Sequence, residues 1–353
     1  MKKKIIGLVL LILVMAAVGI IYFLQGSRPR ISTVDGYTGG EKIGFLEDEE
    51  VRSILEERYG LDVDYARAGS LDMMTADMDG MDYLFPSSTI AEEYYEDLYG
   101  SPDQSEIILN TPIVLYTHQI VLDAFEKQGL ITTDGTASYI DMAGLVELIQ
   151  KGTSWADIGL SELYGNISVD TTDPSSSNSG NMFAALLANV LNRGTTLTAE
   201  NLPSILPQLQ DIFGKLGYME TSSSDLFSQF LRMGVGAKPI IAGYESQMIE
   251  YAALYPDEYD AIRDDVVMLY PTPTVWSTHV LIALDDNGRQ LITGLLDEDI
   301  QNIAWQKHGF RTGNYSSISD SSSLKADGVA PSITQVTQVP SYDVMKVIIE
   351  QLK

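Results

Sequence analysis

One local pattern recurs along the chain: a short apolar run ends near Gly or Ser, and a helical pattern of apolar residues follows. Short apolar runs are typical of buried strands, whereas apolar residues spaced three and four apart are typical of one helix face. The runs that precede such junctions are 31–37, 61–66, 81–85, 167–169 and 239–242. Strands that alternate with helices favour parallel sheets covered by helices. The sequence therefore predicts an α/β fold with mostly parallel sheets.

The junctions carry residues suited to ligand binding. In open α/β sheets, ligands bind at the carboxyl ends of strands, where helix N-termini offer unpaired N–H groups and partial positive charge. Glycine allows close backbone approach, and Ser or Thr adds a hydroxyl. At any single junction, helix capping is the simpler interpretation, but segment 175–180 has more hydroxyls than a cap requires. The predicted ligand-binding residues are Thr38, Gly39, Gly40, Ser70, Ser87, Ser88, Ser177, Asn178, Ser179, Gly180 and Tyr244, with Ser87 and Ser179 foremost.

Three segments resemble parts of extracellular substrate-binding proteins: DPSSSNSGNMF at 173–183, IAGYESQ at 241–247 and WQKHGFR at 305–311. Their order resembles the type 2 periplasmic-binding-protein fold, in the branch that includes molybdate-like and phosphate-like receptors, over most of residues 31–313. The resemblance implies two α/β lobes, two crossover strands that act as a hinge, and a ligand in the cleft. Members bind oxyanions, sugars, amino acids and metals, so the resemblance leaves the ligand open.

The resemblance also divides the chain. Lobe one is predicted to comprise 31–115 and 275–353, and lobe two 116–274. The crossover strands are predicted within 107–116 and 266–284, which are rich in the residues that favour strands.

Residues 1–30 differ from the rest of the chain. Three lysines, Lys2 to Lys4, precede an apolar run over residues 5–24, which is 20 residues long and matches the length that a helix needs to cross a ~30 Å hydrocarbon core. We expect an uncleaved membrane-anchor helix that places the remaining chain outside the cytoplasm. A cleaved signal peptide, which would release the protein, is the alternative. The chain lacks cysteine, so it cannot carry the lipid-modified cysteine usual in the family.

Composition narrows the class of protein further. The 49 acidic residues exceed the 22 basic ones, and the net charge of −27 argues against a nucleic-acid partner. The three histidines, His118, His279 and His308, are isolated, so no metal site and no cofactor are predicted. No nucleophile–base pair can be assembled from the sequence, so we do not expect an enzyme.

The favoured function is a monomeric extracellular solute-binding protein that captures a small polar ligand, such as an oxyanion, between two lobes. Its partner would be the membrane permease of an ABC-type importer. The alternative is a membrane-anchored sensor or envelope-assembly receptor on the same fold. Glu41, Asp173 and Glu245 lie near the junctions and leave open whether the ligand is purely anionic.

Overall fold

The computed structural model describes Met15 and residues 31–312 and 320–353. The predicted anchor over residues 1–30 therefore lies, apart from Met15, outside the described residues. Among the helices of the described part, none is long and apolar enough to cross a membrane.

The described strands form a nine-stranded sheet with helices packed against it. Its order is β2-β1-β3-β9-β4-β8-β6-β5, and β7 also pairs with β4. The strands are β1 (Ser32–Thr38), β2 (Leu61–Arg67), β3 (Tyr83–Phe85), β4 (Gln104–His118), β5 (Ile131–Asp134), β6 (Ala137–Asp141), β7 (Ile240–Tyr244), β8 (Val266–Thr272) and β9 (Trp276–Ala283).

The α-helices follow most of the predicted junctions. They are α1 (Ile43–Glu47), α2 (Glu49–Ile54), α3 (Thr89–Tyr99), α4 (Gln119–Lys127), α5 (Met142–Gln150), α6 (Asn178–Leu191), α7 (Leu202–Phe213), α8 (Ser223–Met233), α9 (Glu245–Leu254), α10 (Pro256–Ile262), α11 (Asp286–Leu295), α12 (Glu298–His308) and α13 (Tyr342–Gln351). One π-helical turn, Leu55–Tyr59, continues α2.

Strand β4 changes neighbours along its length. Residues 104–112 pair with β9, whereas residues 113–118 pair with β7 and β8. Only residues 273–275 join β8 to β9. The chain therefore passes between the two halves of the sheet at β4 and at the β8–β9 connection, within the segments expected to hold the crossovers. The lobe boundaries themselves remain a prediction.

The expectation of mostly parallel sheets is wrong for the described residues. Only β1–β2, β1–β3 and β6–β8 pair in parallel. The antiparallel pairs are β3–β9, β4–β7, β4–β8, β4–β9 and β5–β6. The reason is that β4 and β9 run against their neighbours as they link the two halves, and β5 and β6 form a hairpin. The run at 167–169 forms no strand; beside it, Asp170 makes a single bridge with Ile241.

The C-terminal helix contacts both halves of the molecule. Met345 and Ile348 of α13 join the apolar core formed by α5, α6 and α7. At the start of the same helix, the ring of Tyr342 stacks on Tyr94 of α3 with centroids 4.4 Å apart. Residues assigned by prediction to lobe one thus also pack against elements of predicted lobe two.

Residues 326–340, which we call the C-terminal strap, run past the β8–β9 connection. The Thr274 N–H donates to the Gln335 carbonyl at 3.0 Å, and the Thr337 N–H donates to the Thr274 carbonyl at 2.9 Å. The buried side chain of Asn189 in α6 donates to the Gln338 carbonyl at 2.8 Å and accepts from the Leu197 N–H at 2.8 Å. The strap is therefore hydrogen-bonded both to the crossover and to α6.

Candidate functional site

A polar cavity of about 360 Å³ lies where the carboxyl ends of β1 and β2 meet the N-termini of α6 and α8. Thr38 and Arg67 are partners at the ends of these parallel strands, so the loops that follow leave the sheet side by side. The cavity is lined by 39–41, 67–70, 176–178 and 221–224. Its position at strand ends and helix N-termini is the one expected for ligand binding in α/β folds.

The structure brings part of the predicted set into this cavity. Gly39, Gly40, Ser70, Ser177 and Asn178 line it. The other predicted residues lie outside its lining; they are Thr38, Ser87, Ser88, Ser179, Gly180 and Tyr244.

Asn178 connects the junctions that surround the cavity. Its amide nitrogen lies 2.9 Å from the Ser87 carbonyl oxygen, 3.0 Å from the Tyr244 hydroxyl and 3.2 Å from the Ser277 hydroxyl. Asn178, rather than Ser179, therefore contacts the junction after β3. Burial raises the pKa of Tyr244 well above its ordinary value, so its hydroxyl stays protonated.

Ser179 supports the loop rather than the cavity wall. It is 2% exposed, and its hydroxyl lies 2.7 Å from that of Thr172 and 3.0 Å from that of Ser177. Gly180 is required for packing, because a Cβ there would lie 2.3 Å from the Thr172 carbonyl oxygen. Ser88 caps α3 by accepting from the Ile90 N–H at 3.1 Å. These three residues therefore shape the junctions.

Thr38 is placed differently from the other predicted residues. It is fully buried at the end of β1, directly before the cavity-lining Gly39. Within the described part of the protein, its hydroxyl has no hydrogen-bond partner.

A cluster of charged and polar groups lies beneath the β1 junction. Lys42 is fully buried, with its amine 2.6 Å from Glu41 and 2.7 Å from the Ser87 hydroxyl. It also lies 3.3 Å from His279 Nδ1 and over the Phe85 ring. Burial alone would raise the pKa of Glu41, but Lys42 and His279 lower it to about 2. Burial lowers the pKa of His279 well below its ordinary value.

The lowered pKa keeps Glu41 ionised. Burial lowers the pKa of Lys42, the charge of Glu41 opposes that shift, and the 2.6 Å contact between the two groups makes Lys42 the counter-ion. A serine hydroxyl beside a lysine amine could in principle serve as a nucleophile and base. Ser87 and Lys42 are both 0% exposed and do not line the cavity, so a molecule in the cavity could not reach the hydroxyl. Within residues 31–312 and 320–353, no group of three or more His, Asp or Glu side chains could hold a metal ion.

Sequence reasoning missed two parts of the cavity wall. Arg67 ends β2, where a charged residue looks like an ordinary solvent-facing strand end. Thr221 and Ser222 precede the amphipathic helix α8, and Ser223 and Ser224 begin it; the Ser222 hydroxyl accepts from the Asp225 N–H at 3.4 Å. The run of hydroxyl residues before a helix was the available signal, but no strand precedes it.

Glu245 is directed away from the cavity. Its carboxylate receives two hydrogen bonds of 2.6 Å from Arg311 and a third from the Tyr270 hydroxyl. The Glu245 side chain is completely buried. This acid therefore adds no charge to the cavity, which removes one of the objections to an anionic ligand.

Comparison with known proteins identifies the fold. No family model matches the sequence, and no curated protein matches it either. A protein from Bordetella parapertussis described as an extracellular solute-binding protein aligns with a TM-score of 0.59 at 14% identity, over 90% of this chain and 97% of its own. The substrate-binding protein of an ABC transporter from Agrobacterium tumefaciens aligns with a TM-score of 0.55 at 13% identity, over 93% and 96%.

The sulfate-binding protein of Mycobacterium tuberculosis aligns with a TM-score of 0.55 at 12% identity, over 90% of this chain and 96% of its own. The chain thus has the α/β fold of the periplasmic and extracellular solute-binding proteins. The α/β periplasmic-binding-protein fold that the resemblance implied is confirmed at this level, and the division into two lobes stays a prediction.

Proposed function

We propose that this protein is an extracytoplasmic solute-binding protein that captures a small polar ligand for an ABC-type importer. The observation that carries the proposal is the polar cavity between the strand ends of β1 and β2 and the N-termini of α6 and α8. Solved structures with the same fold include a substrate-binding protein of an ABC transporter and a sulfate-binding protein. Fold alone does not define a function, so the cavity is the stronger support.

Closure of two lobes would enclose the ligand. In this proposal, 31–115 with 275–353 forms one lobe and 116–274 the other. The cavity walls 39–41 and 67–70 belong to the first lobe, and 176–178 and 221–224 to the second. A ligand that contacts both sets stabilises the closed arrangement, because it binds that arrangement better than the open one. The crossovers at β4 and at 273–275 would bend during closure.

Residues 5–24 would hold the protein at the membrane, close to the permease that receives its ligand. The test of this part is fractionation of the full chain. Membrane association that resists carbonate extraction is expected, together with release into the soluble fraction for a chain that starts at Ile31. Recovery of a shortened mature protein from the medium would instead support signal-peptide cleavage.

Binding is tested by a thermal-shift screen of oxyanions, sugars and amino acids, followed by calorimetric titration. A ligand at 100 times its dissociation constant stabilises the folded state by ~2.7 kcal/mol. The matched variants are Ser177→Asp at the N-cap of α6, which lines the cavity, and Ser341→Asp at the N-cap of α13, which does not. A carboxylate suits both helix N-termini, so both should fold.

Only Ser177→Asp should lose affinity, because its carboxylate enters the cavity. Equal affinity in the two variants would show that the ligand binds elsewhere. The absence of any melting shift across the three ligand classes would contradict the proposed function.

A further inference from the structure

Arg67 and Glu41 both line the cavity, yet they form no ion pair in the described structure. Both charged groups pack against the Gly39-Gly40 dipeptide. A Cβ on Gly39 would lie 2.5 Å from a Glu41 carboxylate oxygen, and one on Gly40 would lie 2.8 Å from the Arg67 guanidinium carbon. The two glycines therefore leave space for two opposite charges that stay separate at one end of the cavity.

The two charged groups differ in whether a neighbouring side chain of opposite charge compensates them. Glu41 is neutralised by Lys42 at 2.6 Å, whereas Arg67 has no carboxylate partner among the described residues. The N-termini of α6 and α8, helices of 14 and 11 residues, add partial positive charge. Among the described residues that line the cavity, Glu41 is the one with an acidic side chain. In a chain with a net charge of −27, this cavity is a local site for an anion.

Glu41 restricts which anions fit. Its side chain is 14% exposed at the cavity wall, and the carboxylate can only accept hydrogen bonds while it is ionised. Sulfate presents only acceptors, so it could form no hydrogen bond with this carboxylate. A hydroxyl group, an ammonium group or the protonated oxygen of hydrogen phosphate could donate to it. The volume of about 360 Å³ falls within the ~300–1,000 Å³ typical of sites for small organic molecules.

We infer that the ligand is a small organic anion that also carries a hydroxyl or ammonium group. Its anionic group lies at Arg67 and the helix N-termini, and its donor group lies at Glu41. This inference rests on the proposed function and adds Arg67 and Glu41 as the residues that determine specificity.

Matched pairs of probes test the inference on the unmodified protein by calorimetric titration. The pairs are propionate and lactate, ethanesulfonate and 2-hydroxyethanesulfonate, and propyl phosphate and glycerol 3-phosphate; inorganic sulfate and phosphate complete the set. In the pair whose anionic group fits, the hydroxylated member should bind about tenfold more tightly, as expected for one hydrogen bond to a charged group. It should also bind more tightly than the inorganic ion.

Two variants assign the roles. Arg67→Gln should lower the affinity for both probes of the pair that binds by about tenfold or more. Arg52→Gln, which replaces an exposed arginine outside the cavity, should leave both affinities unchanged. Glu41→Gln should weaken the hydroxylated member alone. If Glu41→Gln does not fold because Lys42 loses its counter-ion, titration of the matched probes on the unmodified protein still tests whether a hydroxyl group on the anion increases affinity.

Three outcomes would overturn the inference while leaving the proposed function intact. They are tighter binding of inorganic sulfate or phosphate than of every organic probe, equal affinity within the binding pair, and binding of a neutral sugar that Arg67→Gln does not alter. Failure of all probes, sugars and amino acids to bind would instead contradict the proposed function itself.

Discussion

The buried ion pair between Glu245 and Arg311 should be among the most sensitive points of the fold. Glu245 begins α9, directly after β7, and Arg311 follows α12, so the pair joins parts of the two predicted lobes. The guanidinium also donates to the Ala330 carbonyl at 2.6 Å and lies over the Trp305 ring. Removing one partner leaves the other charge buried without compensation, which typically costs ~3–5 kcal/mol.

Thermal unfolding of Glu245→Gln, Arg311→Gln and the double variant measures this contribution. For a chain of this length, each kcal/mol corresponds to about 2 °C in Tm, so each single variant should melt roughly 6–10 °C lower. The loss of stability in the double variant should be smaller than the sum of the two single losses by up to ~3 kcal/mol, because the double variant leaves no unpaired charge. Arg58→Gln is the control, since Arg58 forms its ion pairs at the surface and is half exposed.

Additive losses in the double variant would refute the direct coupling of the two side chains. A loss in Arg311→Gln no greater than that in Arg58→Gln would show that the buried pair contributes nothing beyond a surface pair. In either case, the structural link between the two predicted lobes at this point would have to be attributed to the surrounding apolar contacts.

Three further changes have defined outcomes. Gly180→Ala should displace the Thr172 loop and lower both Tm and ligand affinity; an unchanged Tm would contradict the close approach of 2.3 Å. Asn189→Ala should lower the free energy of unfolding by ~1–3 kcal/mol, because it leaves buried groups unpaired. Backbone hydrogen exchange in the C-terminal strap should also accelerate, and unchanged exchange there would contradict the hydrogen bond between α6 and the strap. Because the pKa of Glu41 is lowered from 4.5 to about 2, its ionised form stabilises the fold above pH 4.5 and this contribution is lost as the pH falls through about 2. The difference in stability between the unmodified protein and Glu41→Gln, measured by chemical denaturation, should therefore shrink across that range, whereas a constant difference would contradict it.

Periodicity and junction composition predicted much of the fold but less of the pairing. Apolar runs followed by helical patterns located β1, β2, β3 and β7, because each run must be buried and each helix needs an apolar face. Strand direction was predicted poorly, because the reversal of β4 and β9 depends on which strands become neighbours. That choice is made by contacts between segments far apart in the sequence.

For the candidate site, local chemistry was visible and its final arrangement was not. Gly39, Gly40 and Ser177 were predicted from junction composition and line the cavity. Arg67 could not be recognised as a cation of the cavity wall, because it lines the cavity together with the distant segments 39–41 and 221–224. Likewise, the partner of Glu245 lies 66 residues away along the chain, a separation over which sequence patterns give no pairing information.

The position of β9 in the sheet has a consequence for synthesis of the protein. β9 lies between β3 and β4, although it is made long after both. Until residues 276–283 emerge from the ribosome, β3 presents an open edge and the first half of β4 lacks its partner. Open strand edges readily pair with other chains. The first half of the sheet can therefore be completed only when most of the sequence has been translated.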